Sequence, residues 1–420
     1  MANYNMTTAT GVFKTKYIRM SRDMFNSENV VLAKIKRNDS FVGDQALISV
    51  PTSFGGGRGS GVFPRANVAQ YQKMLILAKK LYAIIEIDNE SIKASQTDEG
   101  AFVRLSKEPV KRGVQAWQAN LSRQLFNDSV TTNGNGRLGI SSSSTAITSP
   151  SAGTYTVTFA TAAANPVNWK LANWEIKDFV NASLVAGTAE YEVTGVNPTA
   201  SATTATVTLT QVAGASYTLT GGLSVSFYMQ NSKDNDVTGL RGALLATSGS
   251  LYSISVGYRW QSPSQLTSLS VGITPDLLNQ QALDIKYAFG ENHDMFVTSF
   301  VQYRKLLNQL EDQKRYMIVE SRSSGPKGKF SFQALEFMAD TGPIPVIAER
   351  FVEDDTLYSL NSDFIEFHAR PDGGWVDGLD GGGIFRASPT NDTWQARYAV
   401  YGEFGIMPSA HGIMTGLTTT

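Results

Sequence analysis

Residues able to carry chemistry are few and scattered along the chain. The glycine-rich loop Phe54-Gly55-Gly56-Gly57-Arg58-Gly59-Ser60-Gly61 is one candidate. Backbone N–H groups of such a loop can point together at a phosphate. A nucleotide-binding loop of that kind also needs Gly-Lys-Ser/Thr opening a helix, so that the ammonium and the hydroxyl meet the phosphate and its magnesium. Here Gly61 runs into Val62-Phe63-Pro64 and supplies no lysine, so the loop reads as a bending tip between strands. The segment Asp372-Gly373-Gly374-Trp375-Val376-Asp377-Gly378-Leu379-Asp380-Gly381 sets carboxylates among glycines. Calcium loops place oxygen ligands at alternate positions, a spacing this segment lacks, which leaves a surface loop. Glu353-Asp354-Asp355 reads as a solvated turn. The three histidines, His293, His368 and His411, share no metal-binding spacing, and no Gly-x-Ser-x-Gly elbow offers a nucleophile. Cysteine is absent, which excludes disulfides, thiol catalysis and Cys-based metal sites. No catalytic, metal or cofactor residue is assigned, and the chain does not read as an enzyme.

Charge points the same way. Lys+Arg number 36 and Asp+Glu 37, so the basic excess of a dedicated nucleic-acid binder is missing. Charged residues make up 17%, below the usual share of about a quarter. A surface covered by neighbours accounts for that, as does a β-rich chain full of Ser and Thr. The N-terminus lacks a basic segment followed by an apolar run, and no stretch approaches the ~18 apolar residues of a membrane span. The sequence thus reads as a soluble protein of the cytoplasm in which it is made. At 420 residues, two or three domains are expected.

Residues 1–44 sustain neither a helical nor a strand period. They read as a loose tail or as an arm that orders against another subunit, with a reach on the order of 100 Å if extended. Gln45 to Pro51 and Tyr71 to Asp88 read as the strands of a long hairpin, 45–90, with the glycine loop at its tip. In the next segment, 91–140, Val103, Val110, Val114, Trp117, Leu121 and Leu125 share one helical face, with Pro109 in the first turn and a start near Ser106 or Glu108. Arg112 and Arg123 fall on the opposite face, where they could meet solvent, acidic partners or DNA phosphates. Residues 141–236 are rich in Ser, Thr, Ala, Val and Gly and alternate as short strands, which predicts an inserted all-β barrel or sandwich. Trp169 and Trp174 there read as packing residues. From 237 to 370 the texture is mixed. Helices are predicted over Pro275–Phe289 and Phe300–Leu310, and strands at Met295–Val297, Tyr316–Val319, Phe330–Phe332, Ile344–Ile347 and Phe364–Phe367. Residues 371–420 carry a loop and a closing strand from Thr393 to Phe404.

The order of these pieces resembles the major capsid proteins of tailed bacteriophages, the Hong Kong 97-type fold. The hairpin with its return strand Leu81-Tyr82-Ala83-Ile84-Ile85-Glu86-Ile87-Asp88 is similar to that family's extended loop. Glu99 to Phe126 is similar to its spine helix, Gly134-Asn135-Gly136-Arg137-Leu138-Gly139 to the glycine turn after the spine, and the helix pair between Pro275 and Leu310 to its axial domain. The resemblance implies an α+β, Hong Kong 97-like capsid fold. Its parts are an N-terminal arm (1–44), an extended hairpin (45–90), a peripheral domain with the spine helix (91–140), the β insert (141–236), an axial domain (237–370) and a closing segment of the peripheral domain (371–420). It also implies self-assembly into hexameric and pentameric capsomers and an icosahedral shell in the virion, built in the host cytoplasm. The further partners implied are scaffolding, portal and decoration proteins, and packaged double-stranded DNA touched weakly and without sequence preference. On that reading Phe54, Gly55, Gly56, Gly57, Arg58, Phe63 and Tyr71 are candidates for contact between subunits, and Arg112 and Arg123 for facing DNA. Other readings are a tail-tube or decoration protein and an encapsulin-like nanocompartment shell.

Overall fold

The computed structural model describes residues 30–39, 41, 45–53, 61, 70–90, 113–126, 136–140, 147–151, 153–160, 177–182, 190–197, 204–213, 225–257, 259–312, 335–339, 342–371, 374–376, 385–388 and 390–418. The chain divides into two units. The first comprises Met1–Leu125, Asn235–Thr238 and Ile365–Gly405; the second comprises Phe126–Asp234, Gly239–Phe364 and Ile406–Thr420.

The first unit is organised by one long strand, Thr393–Ile406. Strand Lys79–Asp88 pairs with it antiparallel from Thr393↔Asp88 to Gly402↔Lys79. The short strands Gly374–Trp375 and Phe385–Ala387 also pair with it, and the sheet ends in Ile365–Ala369 and the parallel strand Lys36–Asn38. Strand Lys79–Asp88 alternates as a half-buried strand should: Leu81, Ile85 and Ile87 are buried, while Tyr82, Ile84, Glu86 and Asp88 are exposed. Helix 113–125 covers the buried face. Val114 joins Ile85, Ile87, Trp375 and Ala396 in one core cluster, and Tyr398 stacks edge-on against both Trp117 (5.3 Å) and Trp375 (5.2 Å). Gly113 lies against the sheet: a Cβ there would lie 2.6 Å from the Ile85 side chain. Helix and sheet can approach this closely only without one.

The hairpin is a two-stranded ribbon. Gln45–Ser53 pairs antiparallel with Gln70–Leu77, in register from Gln45↔Leu77 through Leu47↔Leu75 to Pro51↔Tyr71. Its tip, including Phe54 to Arg58 and Phe63, lies outside the described residues, as do most of the N-terminal arm, Arg112 and the predicted helix start.

The second unit holds the insert and a mixed domain. The insert is all-β among the described residues. Its seven strands run in the order Arg137–Ile140, Ser226–Met229, Phe179–Ala182, Glu190–Asn197, Thr204–Ala213, Thr154–Ala160 and Ile147–Ser151. Among the described residues they form one sheet, and its terminal strands are not paired with each other. It also starts earlier than residue 141, because Arg137–Ile140 pairs with Ser226–Met229. Gly195, Val196 and Asn197 end strand Glu190–Asn197, and a register shift between Thr208 and Leu209 lets the pairing continue through them. Alternate residues, including Tyr155, Val157, Tyr191, Val193, Val207 and Leu209, form its core, with Tyr155 and Tyr191 edge-to-face at 5.7 Å.

Among the described residues the mixed domain has a six-stranded sheet in the order Ser264–Leu266, Gly412–Met414, Leu357–Leu360, Met295–Thr298, Gly342–Ala348 and Leu335–Ala339. Helix Pro275–Phe289 buries Leu278, Ala282 and Ile285 at helical spacing. Thr274 caps its start by accepting the Leu277 N–H at 3.3 Å, Pro275 occupies the first turn, and left-handed Gly290 ends it. Helix Phe300–Asp312 follows strand Met295–Thr298, as predicted. The expected strands at 316–319 and 330–332 fall outside the described residues. Two domain boundaries need correction. Residues 365–370 belong with the first unit, through the parallel pairing Lys36↔Glu366 to Asn38↔His368. The chain beyond Ile406 belongs with the second, because Gly412–Met414 pairs with both Ser264–Leu266 and Leu357–Leu360.

Candidate assembly surface and buried charge clusters

Strand alternation gives the ribbon two different faces. One turns Val50, Met74 and Ile76 into the first unit, where all three are buried. The other presents Leu47 (56% exposed), Leu77 (50%) and Tyr71 (66%), with exposed Pro51 opposite Tyr71 and the exposed polar pair Ser49–Lys73 between them. Beyond Ala78 the same chain carries Tyr82 and Ile84 outward on the sheet, with Tyr82 edge-on to Tyr401. Single exposed apolar residues are ordinary, but several of them along one ribbon and the adjoining strand make this face a candidate contact surface. Of the predicted contact residues, Tyr71 lies on this face. Leu47, Leu77, Tyr82 and Ile84 were missed, because an apolar strand residue reads the same in the sequence whether it faces the core or solvent.

Arg123 is a correction. It does not sit on a solvent face: its residue is 7% exposed, and residues 121–126 are all buried. The helix therefore has no open side at that level, and the guanidinium acts instead on the buried carboxyl of Asp236. Asp236 Oδ1 accepts from Gln124 Nε2 at 3.0 Å, and burial pushes its carboxyl up to about 6 against the pull of Arg123 and Lys79. Glu403, at the far end of the closing strand, accepts the backbone N–H groups of Thr238 (2.6 Å) and Phe404 (3.0 Å). Burial raises it to about 8, so it is mainly neutral at pH 7. A charged residue inside the apolar run Val400 to Ile406 was the sequence signal for it.

Glu353-Asp354-Asp355 is also not a solvated turn. Glu353 and Asp355 are buried, and Glu353 faces Arg241 (Nη1–Oε2 3.9 Å) while accepting the Tyr358 hydroxyl at 3.0 Å. Arg241 Nη1 also donates to Thr356 Oγ1 at 3.0 Å, which ties helix Leu240–Leu245 to this loop. Burial raises Glu353 to about 7, with Arg241 opposing.

Among the described residues no three His, Asp or Glu side chains converge as metal ligands would, although His293 and His411 lie near enough for each charge to act on the other. His411 Nδ1 accepts the Asn361 N–H at 3.1 Å, and His293 stacks on Phe296 at 4.5 Å. Burial lowers both to about 4, so both are neutral in the fold. A histidine lowered in the folded state contributes stability that is present above its unfolded value near 6.5 and lost as pH falls toward 4. Glu353 works in the opposite sense over an overlapping range, so a difference measurement is needed. His293→Phe is expected to reduce the stability lost between pH 7.5 and pH 5 by on the order of 2 kcal/mol relative to the unaltered chain. Urea denaturation at the two pH values checks this, and equal losses in both proteins would refute it.

No family profile matches the chain, and no curated protein sequence does. Solved structures do match. A chain of the cyanophage A-1(L) capsid asymmetric unit superposes with a TM-score of 0.50 at 9% identity, over 92% of this chain and 90% of that one. The satellite phage P4 procapsid aligns at 0.44 with 7% identity, over 96% and 91%. The holo-SrpI encapsulin complex from Synechococcus elongatus aligns at 0.43 with 7% identity, over 92% and 86%. The cyanophage likeness extends over nearly the whole of both chains, so the fold is that of a phage capsid protein, in line with the Hong Kong 97-type resemblance. Among the described residues no helix is long and apolar enough to cross a membrane.

Proposed function

We propose that this chain is the major capsid protein of a tailed phage, a structural subunit that assembles with copies of itself into hexameric and pentameric capsomers and an icosahedral shell around double-stranded DNA. The observation that carries this reading is the outward apolar face of the ribbon, Leu47, Leu77 and Tyr71, on a chain with a phage-capsid fold. A two-stranded ribbon is marginal alone, and its second face becomes useful when a neighbouring copy covers it. Closed shells repeat such contacts, and a protruding ribbon adds interface beyond the standard ~1,600 Å². Phe54, Gly55, Gly56, Gly57, Arg58 and Phe63 at the ribbon tip extend the same contact, and the glycines let one sequence bend into five-fold and six-fold settings. Scaffolding, portal and decoration proteins are the accessory partners of this reading. Its DNA contact is weak and non-specific, with Arg112 as the remaining candidate once Arg123 is buried. The site of action is the virion shell, assembled in the host cytoplasm.

Electron microscopy of the purified chain, alone and with a co-expressed scaffold, tests this. Closed polyhedral shells or capsomer rings are the expected result. A protein that stays monomeric under all assembly conditions, or that forms only tubes, would overturn it.

A further inference from the structure

Two buried acids sit where the ribbon joins the body of the first unit. Ala78 is the crossover: Leu77 pairs with Gln45 in the ribbon, and Lys79 pairs with Gly402 in the sheet. Glu403 follows Gly402 on the closing strand and is 3% exposed. It holds the Thr238 N–H at 2.6 Å, and so grips the short connector Asn235–Thr238, which belongs to the first unit although the sequence on both sides belongs to the second. The same connector supplies Asp236, 4% exposed, which holds Gln124 of helix 113–125. The cations acting on the acids are Arg123 from the helix and Lys79 from the foot of the ribbon. On the neighbouring strand Ile365–Ala369, His368 turns toward Glu366 at 3.5 Å.

We propose that Asp236 and Glu403 form a proton-operated latch at the foot of the ribbon, closed while the pair retains a proton and released when both carboxyls are ionised. In the closed state the connector, the helix and the closing strand are tied together around neutral Glu403. Removing the last proton puts a second carboxylate into a water-poor site; the burial cost comes first and the repulsion of its partner adds to it, while the Thr238 and Phe404 N–H groups, Lys79 and Arg123 offset it only in part. The folded values, about 6 for Asp236 and about 8 for Glu403, both lie above the unfolded carboxyl range. The sign follows. Such groups contribute stability that is full below the unfolded values near 4 and is lost as pH rises through the folded values. The latch therefore holds at pH 6 and weakens above about pH 8. Its action is on the ribbon foot of the single chain, so it does not depend on the capsid reading.

Hydrogen exchange read by mass spectrometry on the unassembled full-length chain tests it, at pH 6 and pH 9 with exchange times scaled for intrinsic rates. In the unaltered chain, peptides covering 70–80 and 113–125 are expected to exchange at least about tenfold faster at pH 9, while the insert strand 204–213 stays unchanged. Glu403→Gln keeps the shape of the neutral acid and should hold the same peptides protected at both pH values. Equal protection at both pH values in the unaltered chain overturns the latch, as does an equal loss in Glu403→Gln. Should Glu403→Gln not fold, Asp236→Asn takes its place. Failure of both to fold at pH 6 also counts against the proposal, since neutral amides would then not stand in for the protonated acids. Assembly is not part of the readout, so a negative result here leaves the capsid reading untouched.

Discussion

On the capsid reading proposed above, replacing Leu47 and Tyr71 together with glutamate is expected to abolish shell formation while leaving the subunit folded. Both side chains stand on the outward face of the ribbon, more than half exposed, and touch little of their own unit. Substitutions at such positions usually change stability by no more than about 0.5 kcal/mol each. At an interface the cost is different in kind. Burying an unpaired carboxylate costs several kcal/mol, and a closed shell repeats that cost at every contact. Assembly should therefore fall to background, with the monomer melting within a few degrees of the unaltered chain. Sedimentation velocity and electron microscopy read the first quantity, and circular dichroism melting reads the second. Normal shell yield would show that the ribbon face is not the contact surface. A large drop in melting temperature would show that Leu47 and Tyr71 are packed within their own subunit.

Arg241→Ala is expected to be among the most damaging single changes in the second unit. Its side chain is 4% exposed, and it is the cation opposite Glu353, also 4% exposed, while binding Thr356 at the same time. Removing one partner of a buried pair costs about 3–5 kcal/mol, against a total stability of roughly 5–15 kcal/mol for a typical domain. Part of the loss is limited by protonation. Glu353 is already raised to about 7, and without Arg241 it moves further up and becomes neutral at physiological pH. Two measurements follow. Chemical denaturation at pH 7.5 should show the loss, and Arg241→Met combined with Glu353→Gln should recover much of it, because no buried charge is left alone. A cost below about 1 kcal/mol for Arg241→Ala would mean that water reaches the pair and that its burial carries no energetic weight.

Local periodicity made much of the fold legible. The ribbon strands, the closing strand and the two helices of the mixed domain stand where alternation and apolar spacing placed them, whereas Lys79–Asp88, read as part of the hairpin, pairs with the closing strand instead. These signals reside within a dozen residues, because a side chain's neighbours along a helix or strand are fixed by backbone geometry. The candidate site was partly legible for the same reason: Tyr71 and the ribbon could be identified, while the exposed partners Leu47, Leu77, Tyr82 and Ile84 could not be told from core residues. An apolar residue on a strand faces either its own core or a surface, and composition is the same in both cases.

By itself, then, the sequence determined the absence of cysteine chemistry, the alternation of the ribbon and the helical faces. The tertiary structure alone decided which charges are buried. Arg123 looked solvent-facing because a single helix has a polar side, yet Gln124 meets Asp236 across 112 residues and Thr238 meets Glu403 across 165. Partners so distant in the chain leave no local pattern. Whether a charge is hydrated or shut away from water is settled only when the remote segments close over it.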